Sequence, residues 1–101
     1  MEVVFQNREL QKLYETGKSR KFKLPQNIIE EYFTCVQSIL SAMTIYDLWN
    51  DASLHFEKLK NSELYSMRLN IKYRLEMTIE WENEQCTIGI FGLTDITNHY
   101  E

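Results

Sequence analysis

The first 24 residues alternate between apolar and polar positions in two different ways. Residues 3–5 form a short apolar run, which predicts a strand. After Asn7, apolar residues recur every three or four positions until Gly17, and this spacing is typical of an amphipathic helix. Asn is a favoured helix N-cap and Gly a favoured C-terminal stop, so the first helix is expected between them.

The strongest helical pattern in the chain begins after Leu24-Pro25. It predicts an amphipathic helix of about 17 to 19 residues. Its apolar positions are Ile28, Ile29, Tyr32, Phe33, Val36, Ile39, Leu40 and Met43. The pattern loosens over residues 44–59, where a turn or short helix is expected to place four apolar side chains on the core. These are Leu48, Trp49, Leu54 and Phe56.

The second half of the chain changes to a period of two, which indicates strands with one buried face. Residues 64–69 and 73–81 alternate in this way, and a third apolar series follows at Cys86, Ile88, Ile90 and Gly92. Neighbouring strands must present their apolar residues to the same face. Pairing Leu69 with Tyr73 leaves residues 70–72 as a loop, and pairing Trp81 with Cys86 makes Asn83-Glu84 the next turn.

These elements predict one domain over residues 1–101, of the α+β class. Two N-terminal helices would pack on an antiparallel sheet of three to four strands, giving two layers. The chain is 44% apolar, which is enough to form a core at this length. It has no run long enough to cross a membrane and no secretory pattern at its start, so we expect a cytoplasmic protein.

The two cysteines, Cys35 and Cys86, match no zinc or redox spacing and are interpreted as reduced core residues. No metal site and no cofactor are expected. The net charge is −4, but all eleven lysines and arginines lie at or before Arg74, and residues 75–101 carry acids without a base. This distribution allows a basic cleft on an acidic body, or simply a solvated charged face.

The predicted register places Arg68 directly opposite Arg74, on the sheet face away from the helices. Like charges opposed in this way destabilise a strand pair by roughly 0.2–1 kcal/mol, so a compensating partner is expected. Glu76 on the same face is one candidate, as a structural ion pair. A bound phosphate is the other, because guanidinium groups bind phosphate bidentately.

Further candidates for this surface come from two other parts of the chain. His55, Lys58 and Lys60 lie in the segment that leads into the first strand of the hairpin. His99 and Tyr100 close the chain and can both donate and accept protons. A cleft holding cations, histidine and tyrosine would contain the groups that metal-free RNA cleavage requires.

The order of several segments resembles the HigB branch of the RelE/ParE toxins of bacterial type II toxin–antitoxin modules. The segments are KLYETGKSRK, a long helix opened by LP, IYDLWNDASLHFEKLKN, YSMRLNIKYRLEMTIEW and a closing HY, and together they span essentially the whole chain. Where such toxins usually carry a glycine after the loop lysine, this chain has Asn61, which also tolerates the left-handed conformation.

The resemblance implies a ribosome-dependent endoribonuclease in which the ribose 2′-hydroxyl attacks the adjacent phosphate of mRNA. Lys60 and Arg68 would hold that phosphate, Arg74 would stabilise its developing charge, and His99 or Tyr100 would move protons. Flanking RNA contacts would come from the segment before the hairpin, from the hairpin loop and from the basic loop; these residues are His55, Lys58, Asn70, Lys72, Lys18, Arg20, Lys21 and Lys23.

The same resemblance implies a cognate HigA-like helix-turn-helix antitoxin, which would bind operator DNA itself, with the ribosome and mRNA as further partners. Two other interpretations remain open. The chain could be a non-catalytic binding module, either a gyrase poison or an inactive toxin that only binds an antitoxin. It could also be a structural two-layer domain in which Arg68, Glu76 and Arg74 form an ion-pair ladder.

Overall fold

The computed structural model describes residues 1–98. These residues form three α-helices, one short 3₁₀ helix and five strands. In chain order they are β1 (Glu2–Phe5), α1 (Arg8–Thr16), α2 (Gln26–Ser41), α3 (Ile45–Trp49), the 3₁₀ helix (Ala52–Leu54), β2 (Glu57–Lys58), β3 (Tyr65–Arg68), β4 (Tyr73–Trp81) and β5 (Gly89–Asn98). The predicted α+β class is confirmed, with one more helix and one to two more strands than expected.

The ends of α1 are set by the two residues that the pattern indicated. Asn7 Oδ1 accepts hydrogen bonds from the N–H groups of Glu9 (3.0 Å) and Leu10 (3.4 Å). Gly17 ends the helix in the left-handed region, with φ +76°, and its N–H donates to the Leu13 carbonyl at 2.9 Å. Glycine adopts this conformation without the steric penalty of a side chain.

The helix α2 spans 16 residues and follows Pro25 directly, slightly shorter than predicted. Its buried positions are Ile28, Ile29, Tyr32, Cys35, Val36 and Ile39. Cys35 is therefore a core residue, as expected. Farther along the chain Leu48, Leu54 and Phe56 are also buried, whereas Trp49 stays 41% exposed and rests on the Phe56 ring, with 4.4 Å between ring centroids.

The strand order in the sheet is β1-β5-β4-β3-β2. The three pairs formed by β2 to β5 are antiparallel, whereas β1 pairs with β5 in parallel. The expectation of a purely antiparallel sheet is thus wrong at one edge. A parallel neighbour needs a long crossover, and here α1 to β4 together provide it.

The register of the β3–β4 hairpin is confirmed, with Arg68 opposite Arg74. Leu69 N–H donates to the Tyr73 carbonyl at 2.9 Å. The loop between them is held by Asn70, whose Oδ1 accepts from the N–H groups of Lys72 (2.8 Å) and Tyr73 (2.7 Å). This side-chain oxygen takes the place of a backbone carbonyl in closing a tight turn.

The predicted register of β4 with the last strand is wrong. Trp81 pairs with Gly89 and not with Cys86, because residues 82–88 form a longer connection than the two-residue turn that was expected. Cys86 lies in this connection, exposed and in the left-handed region with φ +55°. Its interpretation as a core cysteine is therefore also wrong.

The buried face of β5 carries Phe91, Leu93 and Ile96, and not the series that begins at Cys86. Leu93 and Ile96 are three residues apart, yet both are buried, because Thr94 is an extra residue on β5 opposite the Glu76/Met77 step. Thr94 Oγ1 donates to the Glu76 carbonyl at 3.0 Å. The bulge thereby keeps two apolar residues on one face despite their odd spacing.

Apolar residues from the three helices and from one sheet face form a single core, and the other sheet face holds the two arginines. Met67 and Leu75, which alternate with these arginines, are fully buried. Within residues 1–98, no helix combines the length and the apolar character that a membrane crossing requires.

Candidate functional site

A pocket lies at the β3–β4 end of the sheet, on the face opposite the helices; we call it the arginine pocket. It is lined by His55, Glu57, Ser66, Arg68, Asn70, Ile71, Tyr73 and Arg74. Three elements build it: the segment after the 3₁₀ helix with β2, the strand β3, and the hairpin loop with the start of β4. Both arginines, His55 and Asn70 were candidates from the sequence, and the structure brings these four together.

The two arginines occupy different surroundings within the pocket. The Arg74 side chain is only 16% exposed, and its Nη1 lies 3.9 Å from Glu57 Oε1. Arg68 is exposed, and within residues 1–98 no carboxylate forms a salt bridge with it. Two guanidinium groups on adjacent strands, one of them exposed, form a site that is suited to an anion.

Glu57 is a charged pocket residue that the sequence interpretation missed. It pairs with Ser66, which in turn pairs with Glu76, so two carboxylates flank Ser66 on the same sheet face. The sequence suggested Glu76 as the ion-pair partner of the arginines, but the Glu76 carboxylate accepts a hydrogen bond from Thr97 Oγ1 at 3.0 Å. A strand of two residues, such as β2, has too little alternation to indicate which way Glu57 points.

His55 lines the pocket and has an unusual backbone conformation. It ends the 3₁₀ helix with φ +47° and ψ +44°, in the left-handed region. Non-glycine residues adopt this region rarely, although His is among the more tolerant, and such residues cluster at functional sites. This conformation turns the chain out of the helix and into β2, with His55 and Glu57 both on the pocket wall.

Two of the predicted cations do not line the pocket. Lys58 pairs with Tyr65, so it belongs to the opposite face of the sheet from Glu57, and its Nζ donates to the Ser62 carbonyl at 2.6 Å. Lys60 is exposed in the β2–β3 turn, where Asn61 has φ +55°. Lys58 lies on the opposite face because residues alternate between faces along a strand, and neither lysine is among the residues that line the arginine pocket.

The predicted basic loop lies beside the last residues of β5, outside the arginine pocket. Lys18, Arg20 and Lys23 border a shallow depression together with Lys12 of α1, and Lys21 and Lys23 border a second groove beside β5. Lys72 is exposed in the β3–β4 loop, with its Nζ 5.8 Å from the centroid of the Tyr73 ring. None of these basic residues lines the arginine pocket.

His99 and Tyr100 lie outside the described residues. The last described residue, Asn98, pairs with Tyr73, which lines the arginine pocket. Its neighbour Thr97 pairs with Arg74. The described part of β5 thus ends beside Arg74, with Arg68 one strand farther away.

The fold is similar to that of a solved structure, a YoeB/ParE toxin from Agrobacterium tumefaciens. The TM-score is 0.60 at 11% sequence identity, and the similarity covers 99% of this chain and 100% of that chain. No protein-family model matches this chain, and no curated protein matches it by sequence. At this identity, the similarity establishes a common fold.

The arginine pocket combines groups that can act together on a phosphodiester. Two guanidinium groups can bind an anionic oxygen pair and stabilise added negative charge. A carboxylate and an imidazole in the same pocket can accept and donate protons. Ser66 is buried between the carboxylates, and its hydroxyl adds a small polar group to the floor.

Proposed function

We propose that this chain is the toxin of a bacterial toxin–antitoxin module and that it cleaves mRNA on the ribosome without a metal ion. The observation that carries the proposal is the convergence of Arg68, Arg74, Glu57 and His55 in one pocket. The similarity of the whole fold to a YoeB/ParE toxin supports the toxin assignment. The resemblance of the sequence segments to HigB-like toxins supports the RNA substrate.

In the proposed reaction the ribose 2′-oxygen attacks the adjacent phosphorus. A bond forms between O2′ and phosphorus, and the bond from phosphorus to the 5′-oxygen of the next nucleotide breaks. The products are a 2′,3′-cyclic phosphate and a new 5′-hydroxyl end. Arg68 and Arg74 would bind the phosphate and stabilise the extra charge of its five-coordinate transition state.

Glu57 is the best-placed base for the 2′-hydroxyl proton. Its carboxylate lies 3.9 Å from the guanidinium of Arg74 that would hold the phosphate, and its side chain is 59% exposed, so it can turn toward a bound ribose. The proton that the 5′-oxygen leaving group needs would come from His55, or from His99 or Tyr100 at the end of the chain. Each of these proton donors would give the same products. They differ in which substitution would inactivate the protein.

A cognate antitoxin of the HigA-like helix-turn-helix type would inhibit this activity and would make the contacts to operator DNA. The acidic net charge of the chain, −4, weakens its attraction for free RNA. Delivery of the substrate within the ribosomal decoding site would offset that weakness, because binding would not depend on the charge of the toxin alone.

The test is induced expression with and without the neighbouring reading frame, followed by mapping of RNA 5′ ends. New 5′-hydroxyl ends on translated mRNA, absent for Arg68→Ala and suppressed by the neighbouring protein, are the expected result. A melting curve for each variant must accompany the assay, since misfolding also abolishes toxicity. Growth arrest without new RNA ends would contradict the nuclease proposal.

The alternative is a non-catalytic module that poisons gyrase or only binds an antitoxin. A solved structure with a similar fold is named a YoeB/ParE toxin, and the acid-rich stretch after Arg74 also favours a protein partner over RNA. Mapping of nucleic-acid ends distinguishes these functions. A nuclease leaves new 5′-hydroxyl ends on mRNA, a gyrase poison leaves breaks in DNA, and an inactive toxin leaves neither.

A further inference from the structure

A groove runs between the basic loop and the outer edge of β5; we call it the loop–strand groove. Its walls are residues 21–24 on one side and residues 95–98 on the other, and Tyr73 also lines it. β1 pairs with β5 only from Ile90 to Leu93. Beyond the bulge at Thr94, the edge of β5 therefore faces the basic loop where a neighbouring strand would otherwise lie.

The groove adjoins the arginine pocket. Tyr73 lines both of them, and Thr97 on the groove wall pairs with Arg74 in the pocket. Neighbouring strands are about 4.8 Å apart, so the groove begins roughly one strand away from the arginine that would hold the scissile phosphate. A chain that passes through the pocket and continues across the sheet end enters the groove next.

The walls of the groove differ in chemistry in the way that a nucleotide requires. Its floor is apolar, because Phe22 and Ile96 are buried there and the half-buried Tyr73 ring adds an aromatic surface. Lys21 and Lys23 supply two ammonium groups on the loop side. Asp95 supplies a carboxylate on the strand side, and its Oδ1 also accepts from the Ile96 N–H at 2.9 Å.

The loop wall is held in place within the protein. Glu9 Oε1 accepts from Ser19 Oγ (2.9 Å) and from the Arg20 N–H (3.1 Å). Ser19 Oγ in turn accepts from the N–H groups of Lys21 (3.1 Å) and Phe22 (3.0 Å). A wall that is already ordered loses less conformational entropy when a ligand binds, which favours a specific site over a loose charged surface.

We infer that the loop–strand groove binds the nucleotide next to the scissile phosphate; the inference rests on the proposed function. The base would lie on the apolar floor, its phosphate would contact Lys21 and Lys23, and Asp95 would accept hydrogen bonds from the base edge. Guanine is the base expected, because its Watson–Crick edge presents two adjacent donors that fit one carboxylate.

A plain basic surface would behave differently from such a groove. Lysines that only meet phosphates add affinity without reading sequence, whereas contacts to a base edge produce a preference at one position. The distinguishing measurement is therefore the base preference at each nucleotide beside the cut, not the overall rate.

The first experiment maps 5′-hydroxyl ends after expression of the wild-type chain, Asp95→Asn, Lys23→Gln and Arg8→Gln. Arg8→Gln removes the same charge as Lys23→Gln, from an exposed position at the start of α1. We expect a guanine preference at one position beside the cut, which Asp95→Asn abolishes while the other positions keep theirs. Lys23→Gln should reduce cutting severalfold at all sites, and Arg8→Gln should not.

The second experiment does not depend on cleavage. The purified chain is titrated with guanosine and cytidine 5′-monophosphates while backbone amide shifts are followed by NMR. Shifts at Lys23, Ile96 and Thr97 that are larger for the guanosine nucleotide, and lost in Asp95→Asn, are expected.

If the chain cuts RNA but Asp95→Asn leaves the preference intact, the groove assignment is wrong and the proposed nuclease stands. If the chain does not cut RNA but these shifts occur, the proposed nuclease is wrong, and the groove is a guanosine-nucleotide site without a scissile phosphate beside it. No guanosine-dependent shift in the groove overturns the inference.

Discussion

Arg68 and Arg74 lie opposite each other on β3 and β4, yet only the Arg74 side chain is largely buried. Its Nη1 lies 3.9 Å from Glu57 Oε1. The exposed Arg68 therefore contributes repulsion to the folded state without a carboxylate in salt-bridge range among residues 1–98. A side chain that costs stability and lines a pocket is expected to serve the ligand of that pocket.

Replacing Arg68 by Ala should separate activity from stability. Loss of a guanidinium that contacts a charged transition state lowers the rate by about 10²-fold or more. Relief of the like-charge pair should leave stability unchanged or raise it by up to about 1 kcal/mol. RNA end mapping and thermal melting of the same variant check both. A melting temperature several degrees lower would instead indicate a structural role.

Lys60 provides the matched comparison for this experiment. Family resemblance gives it a catalytic role, whereas the structure places it in the β2–β3 turn, outside the lining of the arginine pocket. On the geometry, Lys60→Ala should retain most of the activity that Arg68→Ala loses. Equal loss in both variants would show that the turn moves toward the pocket when RNA binds.

Glu57 and Glu76 form a second matched pair, because both carboxylates flank Ser66 on one sheet face. If Glu57 is the base, Glu57→Gln should lower the cleavage rate by about 10² to 10⁴-fold. The acidic limb of its pH–rate profile should disappear as well. Glu76→Gln should have a much smaller effect on the rate, since Glu76 is occupied by the Thr97 hydroxyl. Single-turnover cleavage across pH 4 to 9 measures both, and similar profiles for the two variants would exclude this role for Glu57.

The two hairpins show what an isolated sequence can determine about this fold. The register of β3 with β4 followed from their alternation, because their loop is short and closed by Asn70. The register of β4 with β5 did not, since two apolar series compete after residue 85. The packing of Phe91 and Leu93 under the helices decides between those series, and that is a tertiary effect.

The residues of the arginine pocket were likewise predicted only in part. Arg68 and Arg74 were identified because their opposition follows from the strand period and from the apolar face that the two strands share. Glu57 was missed, and Lys58 was misplaced, because a strand of two residues gives no alternation to indicate its face. Whether a residue of such a strand points into a pocket is set by its pairing with Ser66 in β3, which no local pattern encodes.

Burial of Cys35 predicts that the protein loses stability in alkaline solution. Desolvation raises the pKa of the Cys35 thiol to about 12 in the folded state, from an ordinary value of 9.0. The folded state therefore keeps its full stability below pH 9, and it loses up to about 1.4 kcal/mol per pH unit between pH 9 and 12 as the unfolded thiol ionises. Denaturant titrations over this range should show a shallower decline for Cys35→Ala, whatever its absolute stability. An unchanged slope in that variant would assign the alkaline loss to another group.

The two cysteines of the chain, Cys35 and Cys86, should differ in their reactivity toward thiol reagents at pH 8. Cys86 is exposed in the β4–β5 connection, whereas Cys35 is buried and its raised pKa leaves little thiolate. A thiol reagent should modify one cysteine in the native protein and both after unfolding, and mass spectrometry should place the first modification on Cys86. Rapid native modification of Cys35 would mean that α2 opens readily from the core.

Glu9 should control the order of the basic loop and, through it, the affinity for RNA. A hydrogen bond from the Ser19 hydroxyl is the main cause that lowers the pKa of the Glu9 carboxyl below its ordinary value. The anchoring is thus complete above that ordinary value and is lost as the pH falls through the lowered pKa of the folded state. Glu9→Ala should accelerate amide exchange at Arg20 to Phe22 and weaken binding of single-stranded RNA.

Removal of an acid would by itself strengthen RNA binding, so Glu15→Ala, the same charge change on the exposed side of α1, is the control. If the loop serves only as a diffuse positive surface, both variants should bind RNA more tightly and to the same extent.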